Sequence, residues 1–152
     1  MEAGNVSRRV VVDRLAWLDR MLAEIRRLPL HDHVAFMADS RNGWTAESCL
    51  RRALEAIFDI GRHVLAKGFG QGSTEYEEVA SRLAENQVLS RDEADLLRRL
   101  AGYRNRMVHF YHEVSPDELF DLCSHHLDDL ATIGDAYRRW LRGHEAALAD
   151  TL

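Results

Sequence analysis

Apolar residues recur at alternating steps of four and three along the first part of the chain, over about residues 5–28. This spacing is typical of an amphipathic helix with one buried face. Pro29 ends the pattern, because proline lacks the backbone N–H that a helix interior needs. The apolar face of this first predicted helix consists of Val11, Leu15, Leu18, Leu22 and Ile25.

The same periodicity predicts a second helix that begins with Thr45 as its capping residue and extends to Lys67. Gly68 and Gly70 follow it and favour a helix end. Between the first two helices the pattern is less regular: residues 34–37 predict a short helical turn, and residues 41–43 (Arg-Asn-Gly) predict a loop. The apolar seam of the second helix comprises Leu50, Leu54, Ile57, Gly61 and Val64.

Three further helix starts share one capping signal, a hydroxyl residue three positions before a glutamate. In this arrangement the two side chains satisfy backbone N–H groups that have no partner within the helix. The third start also has proline at the first helical position, where its fixed backbone angle suits a helix. The starts predict helices over about residues 74–86, 90–112 and 115–142. The three pairs are Thr74 and Glu77, Ser90 and Glu93, and Ser115 and Glu118.

The predicted fold is all-α: an antiparallel, up-and-down bundle of four to five helices in a single domain over residues 1–152. Short connections imply antiparallel neighbours, and no segment alternates with a period of two over a useful length, so no sheet is predicted. Residues 134–152 are expected to form a helical extension and a tail. The seam of the fifth helix comprises Leu119, Leu122, His126, Leu130, Ile133, Tyr137 and Trp140.

Composition narrows the class of protein. The chain has 152 residues, of which 46% are hydrophobic and 30% charged, as expected for one globular domain. No apolar run approaches the length of a membrane span, and the N-terminus lacks the apolar core of a signal peptide. Cys49 and Cys123 lie within helical patterns and are expected to be reduced, core or near-core residues. The expected location is the cytoplasm, with no membrane association.

The charge balance by itself does not suggest nucleic-acid binding, because the net charge is −5 and such domains usually carry a basic excess. The cations are nevertheless unusual: Lys67 is the one lysine among 20 basic residues. Arginine suits bidentate contacts to phosphate and carboxylate better than lysine does. A GC-rich genome is an equally good explanation.

The fourth predicted helix contains a charged residue where its own periodicity requires an apolar one. Its seam runs through Ala94, Leu97 and Leu100 to Arg104 and continues at Met107, Val108 and Tyr111. An unpaired guanidinium in a core would cost several kcal/mol. A carboxylate, a partner subunit or a bound phosphate must therefore compensate Arg104. A polar stripe lies directly beside it and consists of Asn105, His109 and His112.

Residues 104–111 read Arg-Asn-Arg-Met-Val-His-Phe-Tyr, which resembles the Arg-x4-His-x-Tyr signature of the HEPN ribonuclease toxins of the HepT type. An arginine-led helix over residues 51–63 and a Ser/Thr-Glu-Tyr stretch at residues 74–76 resemble the family as well. The resemblance covers about residues 49–133. Residues 30–48 and those after 134 look less like the family.

The resemblance implies an all-α toxin of a type II toxin–antitoxin system that acts as a metal-independent RNA endonuclease. It implies a homodimer whose motifs meet at a shared cleft, with Arg104 and His109 as the catalytic residues and Asn105 supporting substrate binding. It also implies a cognate partner, a minimal nucleotidyltransferase antitoxin that attaches AMP to Tyr111. No cofactor and no metal ligand is expected.

The chemistry of these side chains is compatible with RNA cleavage. An imidazole with a pKa of about 6.5 can take a proton from a ribose 2′-hydroxyl or give one to the leaving 5′-oxygen. A guanidinium can stabilise charge on phosphate oxygens. Residues five apart on a helix point about 140° apart. One Arg104–His109 pair therefore grips a single phosphate poorly, whereas two copies across a twofold axis could surround one groove.

Other interpretations remain open for each residue. Arg104 could simply pair with a buried acid such as Asp59 or Glu55, and His109 could be an ordinary surface histidine. Tyr111 could pack at an interface, Asn105 could be a helix-surface amide, and His112 is expected to be solvated. Adjacent His125 and His126 fit one seam residue and one outward neighbour better than a zinc site. Packing aromatics are the expected role of Trp17, Trp44 and Trp140.

Two other functions also remain open at this stage. The first is a noncatalytic HEPN module that binds nucleotide and serves as partner to a nucleotidyltransferase. The second is a structural dimerisation bundle in which the motif only stabilises an interface. Cleavage of RNA that depends on His109 distinguishes the enzyme from both.

Overall fold

The computed structural model describes residues 4–72, 75–108 and 114–149. These residues form seven α-helices, a π-helical turn at Val64–Gly68 directly after the third helix, and a short 3₁₀ turn at Glu145–Ala147. The helices are α1 (Arg8–Arg26), α2 (His33–Ala38), α3 (Ser40–His63), α4 (Tyr76–Glu85), α5 (Arg91–Val108), α6 (Pro116–His125) and α7 (Leu127–Gly143). The all-α prediction is confirmed.

Helix α3 lies at the centre of the bundle and contacts each of the other six helices. Its second half is largely buried, and the buried residues of the helix include Leu50, Leu54, Ile57, Phe58 and Ile60. Close approach is possible at Gly61, where an added Cβ would lie 2.9 Å from the hydroxyl of Tyr137. That hydroxyl donates a hydrogen bond to the carbonyl of Ile57 at 3.0 Å, so Gly61 lets α7 and α4 pack closely on α3.

Local capping signals predicted two helix starts correctly. Ser90 and Glu93 form a complete capping box: the Glu93 backbone N–H donates to Ser90 Oγ at 3.1 Å, and the Ser90 N–H donates to Glu93 Oε1 at 2.8 Å. Ser115 accepts from the Glu118 N–H at 3.2 Å. Its glutamate does not complete the box, because that carboxylate pairs with Arg106 at 2.6 Å instead. Thr74, the third predicted cap, lies outside the described residues.

The predicted start of the central helix at Thr45 is wrong, since α3 begins at Ser40 and includes the predicted loop at residues 41–43. Asp39 is the N-cap and accepts from the Arg41 backbone N–H at 3.0 Å. The Asn42 side chain donates to the carbonyl of Phe36 at 3.1 Å and so joins α3 to the short α2. These contacts stabilise helical backbone over residues 41–43, although Arg-Asn-Gly usually favours a loop.

The predicted single helix over residues 115–142 is instead two helices, α6 and α7, separated at His126. His126 has φ −123° and ψ 5°, which is not helical, and its Nδ1 lies 3.2 Å from Asp129 Oδ2. The described residues thus contain more helices than the four to five predicted, because α2 and this break add to the count. The break lets α6 pack against α2 while α7 packs against α1 and α5.

The two ends of the described chain meet beside the bundle. The Val6 N–H donates to the Ala147 carbonyl at 3.2 Å, and the Ala149 N–H donates to the Val6 carbonyl at 2.8 Å. In the described ranges the one β-type pairing is this isolated bridge between Val6 and Leu148. No helix within those ranges is long and apolar enough to cross a membrane.

The predicted roles of the cysteines and tryptophans have different outcomes. Cys49 and Cys123 are free thiols, and burial raises the pKa of the Cys123 thiol to about 12, as expected for an unreactive core residue. Trp140 is buried, as predicted. The packing role predicted for Trp17 and Trp44 is wrong, because they are 38% and 67% exposed, respectively.

Candidate functional site

Arg104 lies where the apolar seam of α5 leaves the core. Leu97 and Leu100 are buried, whereas Tyr103 and Met107 are only partly so. The Arg104 side chain is 19% exposed, and its Nε donates to Glu55 Oε1 on α3 at 3.0 Å. Glu55 is therefore the carboxylate that compensates the charge within the seam.

The aromatic ring of Tyr76, the first residue of α4, provides a second contact for the same guanidinium. Arg104 Cζ lies 3.8 Å from the centroid of this ring, and Arg62 Cζ lies 4.2 Å from it. Both distances are well within the range of a cation–π interaction. Buried Phe58 meets Tyr76 edge to face at a centroid distance of 4.8 Å. The core thus orients Tyr76, and Tyr76 in turn orients Arg104.

These contacts leave part of the guanidinium available to another ligand. Glu55 accepts the hydrogen bond from the Nε–H group, and Nη1 makes a long contact of 3.5 Å to the Asn105 side-chain oxygen. Arginine carries five N–H donors. The remaining donors of Arg104 form no other ion pair within the described residues, so they can bind an anion without disrupting the pair with Glu55.

Asp59, the other acid proposed as a partner for Arg104, has a different neighbour. Its Oδ2 lies 3.9 Å from Arg14 Nε of α1. Partial burial raises the pKa of Asp59, and the positive charge of Arg14 opposes that shift. Glu55 and Asp59 therefore each face an arginine, but only Glu55 contacts the motif residue.

The sequence motif is only partly within the described residues. Arg104 and Asn105 are described, and both side chains are partly buried at the end of α5. His109, Tyr111 and His112 lie outside the described residues. Their predicted roles stay predictions, and Val108 is the last described residue before them.

Sequence patterns predict no functional role for two residues of this site. They indicate Glu55 only as a structural partner of Arg104, and Tyr76 only as part of the family resemblance. Glu55 lies on the polar stripe of α3 that repeats at helical spacing, which is a detectable signal. Tyr76 has no such signal, because it reaches Arg104 only through the packing of α4 on α3 and α5. The polar stripe of α3 comprises Arg51, Arg52, Glu55, Asp59 and Arg62.

His125 and His126, which the sequence did not favour as zinc ligands, each lie near a carboxylate one turn away on the chain. His126 contacts Asp129 at 3.2 Å, and His125 Nε2 lies 3.8 Å from Asp121. Across the three described ranges, no group of three or more His, Cys, Asp or Glu side chains could hold a metal ion.

Comparison with known proteins decides the family. A model of the family described as "Ribonuclease HepT-like" matches residues 18–135. The chain belongs to the HepT-like ribonuclease family. The match begins well before Cys49, the residue at which the resemblance in the sequence starts, and therefore includes α2 and the first half of α3.

Individual members of the HepT-like family agree with this assignment over most of their length. The chain is 26% identical over 132 residues to the mRNA nuclease HepT of Shewanella oneidensis, covering 85% of this chain and 96% of the relative. It is 25% identical over 117 residues to the tRNA nuclease HepT of Aphanizomenon flos-aquae, covering 76% of this chain and 79% of the relative. These two relatives are named for different RNA substrates.

A solved structure of a HepT-like protein has the same fold. It is the tri-AMPylated HEPN toxin of Shewanella oneidensis in complex with an MNT antitoxin. The TM-score is 0.76 at 24% identity, and the alignment covers 86% of this chain and 97% of that toxin.

The contact between Arg104 and Tyr76 can be tested by a double-mutant cycle with Tyr76→Leu and Arg104→Met. We expect a coupling free energy of about 1 kcal/mol, because the guanidinium is largely withdrawn from water. Urea unfolding measures the four free energies. Tyr76→Phe should retain the coupling, since the ring remains.

The exposed pair of Trp17 and Arg20 is the matched control, because its Cζ-to-centroid distance is 5.8 Å. Its coupling should be distinctly smaller. Equal coupling in the two cycles, or none in the first, would show that Tyr76 does not hold Arg104.

Proposed function

We propose that this chain is the toxin of a type II toxin–antitoxin pair, a metal-independent endoribonuclease that cleaves RNA at a composite site in a homodimer. Arg104 and His109 are its catalytic residues, and Asn105 supports substrate binding. The partner is a minimal nucleotidyltransferase antitoxin that inactivates the toxin by attaching AMP to Tyr111. The named activities and complexes of the HepT relatives support this proposal at the level of the family.

The observation that carries the proposal is the arrangement around Arg104. A motif arginine that served only the fold would be expected to use its donors within the fold. Among the described residues, Arg104 instead has donors without a partner while Glu55 and Tyr76 hold its position. Preorganised donors of this kind stabilise charge that develops on phosphate oxygens without further reorganisation.

The proposed reaction needs only a proton carrier and a clamp for the phosphate. A ribose 2′-oxygen attacks the neighbouring phosphorus, the bond from phosphorus to the 5′-oxygen breaks, and a 2′,3′-cyclic phosphate and a 5′-hydroxyl result. His109 accepts the 2′ proton or donates a proton to the 5′-oxygen, and Arg104 binds the non-bridging oxygens. The 2′-hydroxyl loses one proton and the 5′-oxygen gains one, so the protons balance when His109 serves one of these oxygens and water serves the other.

The geometry of a helix favours a site shared by two subunits. Arg104 and His109 are five residues apart, a separation of about 140° around a continuous helix. A twofold axis beside the end of α5 would bring both residue types from two chains to one groove. The partly exposed apolar side chains there, Met107 and Val108, suit such an interface.

Replacing either catalytic residue should abolish cleavage without unfolding the protein. We expect His109→Ala to lower the rate roughly 10²–10⁴-fold, the usual contribution of an acid–base group. Arg104→Ala should lower it by roughly 10²–10³-fold. The assay follows cleavage of total cellular RNA and of tRNA, with circular dichroism as the check on folding.

Arg91→Ala in the same helix and His125→Ala are the matched controls and should cleave at the wild-type rate. Wild-type cleavage should also continue in EDTA. A folded His109→Ala protein that cuts RNA normally would refute the catalytic assignment, and loss of cleavage in EDTA would refute the metal-independent mechanism.

Mixing the two inactive proteins tests whether the site is shared. A heterodimer of one Arg104→Ala chain and one His109→Ala chain retains one site with Arg104 and His109 intact on opposite subunits. Purified through two different affinity tags, it should recover about half of the wild-type rate. No recovery, or a wild-type protein that sediments only as a monomer at micromolar concentration, would contradict the composite site.

Tyr111→Phe should make the toxin resistant to its antitoxin. AMP on the Tyr111 hydroxyl places a bulky negative group two helical turns from Arg104, provided that the helix continues, and would occupy the arginine that the substrate needs. Intact-mass spectrometry after coexpression with the neighbouring nucleotidyltransferase should show one or more added AMP groups. The modification should map to Tyr111 and be absent from Tyr111→Phe. A neutralised but unmodified toxin would show that inhibition occurs by binding alone.

A further inference from the structure

A groove of about 300 Å³ lies between α1 and α3 and reaches the end of α5 at Val108. We call it the α1/α3 groove. The lining side chains that matter here are Arg14, Trp17, Arg51, Arg52, Glu55 and Asp59. Val108 immediately precedes His109, and Glu55 holds Arg104 at 3.0 Å. The groove therefore leads directly to the proposed site of cleavage.

The cations of the α1/α3 groove are available to a ligand. Arg51 is exposed and forms no ion pair within the described residues. Arg52 is also exposed, and its hydrogen bonds to described residues go to Ser48, one turn earlier in its own helix. Arg14 is half-exposed and makes a loose contact of 3.9 Å with Asp59. The net charge of the chain is −5, so a surface with several arginines that lack a close acidic partner differs in sign from the protein as a whole.

The two carboxylates of the groove do not cancel this positive charge. Glu55 is paired with Arg104, and Asp59 is paired loosely with Arg14. Neither carboxylate forms an ion pair with Arg51 or Arg52. An incoming phosphate would thus meet two arginines whose charge is not already neutralised by a neighbouring acid.

Trp17 adds a stacking surface to the same groove. A tryptophan is large and apolar, yet Trp17 is 38% exposed, and the guanidinium of Arg20 lies a loose 5.8 Å from its ring centroid. Proteins that bind single-stranded nucleic acid combine such an aromatic surface with a positively charged groove. A base within a duplex is already stacked and cannot lie on the ring, so the combination favours an unpaired nucleotide.

We propose that the α1/α3 groove binds the single-stranded RNA next to the scissile phosphate, with Trp17 stacking on a base and Arg51 and Arg52 binding backbone phosphates. The proposal rests on the proposed function, because it extends the same site along its substrate. It makes these three side chains determinants of substrate binding and leaves the chemical step to Arg104 and His109.

RNA binding, measured without cleavage, tests this proposal separately from the ribonuclease activity. All variants are made in the full-length His109→Ala protein and titrated into a fluorescein-labelled, unstructured RNA oligonucleotide. Trp17→Ala should weaken binding about tenfold, the usual effect of removing one stacked base contact. Arg51→Ala should reduce the slope of log affinity against log salt concentration by about 0.7, the change for one phosphate contact on a single strand.

Each variant has a matched control outside the groove. Trp44→Ala also removes an exposed tryptophan, and Arg142→Ala also removes one exposed arginine, here from the end of α7. Both should bind RNA like the parent. Trp17→Leu keeps an apolar side chain for folding but cannot stack in the same way, so it should weaken binding as Trp17→Ala does.

Cleavage kinetics provide a second readout in the protein with His109 intact. Trp17→Ala and Arg51→Ala should raise KM about tenfold and change kcat less than about twofold, because they remove binding away from the reacting atoms. Annealing the oligonucleotide to its complement should weaken binding by the parent protein and abolish the difference between Trp17→Ala and the parent.

The outcomes separate the two proposals. Cleavage by the wild type, together with equal RNA affinity in the groove variants and the controls, would overturn the groove and leave the proposed function intact. RNA binding that depends on Trp17 in a wild type that never cuts would overturn the proposed function and support the groove. Loss of dimerisation in Trp17→Ala at unchanged RNA affinity would show that the groove is a contact between copies of the chain.

Discussion

The packing of α3 against six other helices is the constraint on which the rest of the structure depends. A helix surrounded in this way must be apolar over most of its circumference, because each buried polar group without a partner costs about 1–3 kcal/mol. The small residues Ala53, Ala56 and Gly61 let neighbouring helices approach. One side of α3 remains open to polar side chains, and this side faces α1 and the end of α5.

That polar side of α3 supplies the charge that Arg104 requires. A guanidinium in the seam of α5 is tolerable only with a carboxylate nearby, since an unpaired charge in that position would cost several kcal/mol. Glu55 is the α3 side chain whose carboxylate lies within 3.0 Å of Arg104. The ring of Tyr76 covers one face of the guanidinium. The stabilisation is spread over an ion pair and a ring contact, so neither one occupies every donor. An arginine held in this way is stable in the free protein and can still bind an anion.

The same polar side of α3 also lines the α1/α3 groove, where an extended strand of RNA could bind. Arg51 and Arg52 lie one turn before Glu55, so the helix that orients the motif arginine also carries the cations beside it. Because all of them belong to one central, rigid helix, their spacing is set by helical geometry rather than by loops. Rigid placement of this kind reduces the entropy that must be lost when a flexible strand binds.

Local patterns in the sequence determined the helical class, the face of each long helix that is buried, and the helix starts at Ser90 and Ser115. Periodicity and capping depend on residues within one or two turns, so they can be recognised without knowledge of the fold. The Arg-x4-His-x-Tyr spacing likewise belongs to the sequence, as does the conflict between Arg104 and its seam. The resemblance to the HepT-like family came from the sequence as well, and the family match over residues 18–135 confirms it.

Tertiary structure decided what depends on residues far apart in the chain. It chose Glu55 rather than Asp59 as the partner of Arg104, 49 positions away, and it brought Tyr76 over the guanidinium. It extended α3 back to Ser40 through the contact of Asn42 with α2 and broke the last predicted helix at His126. It also left Trp17 in a groove instead of the core. Apolar periodicity reports which side of a helix is buried, but the identity of the neighbour on that side is set by the packing of the whole bundle.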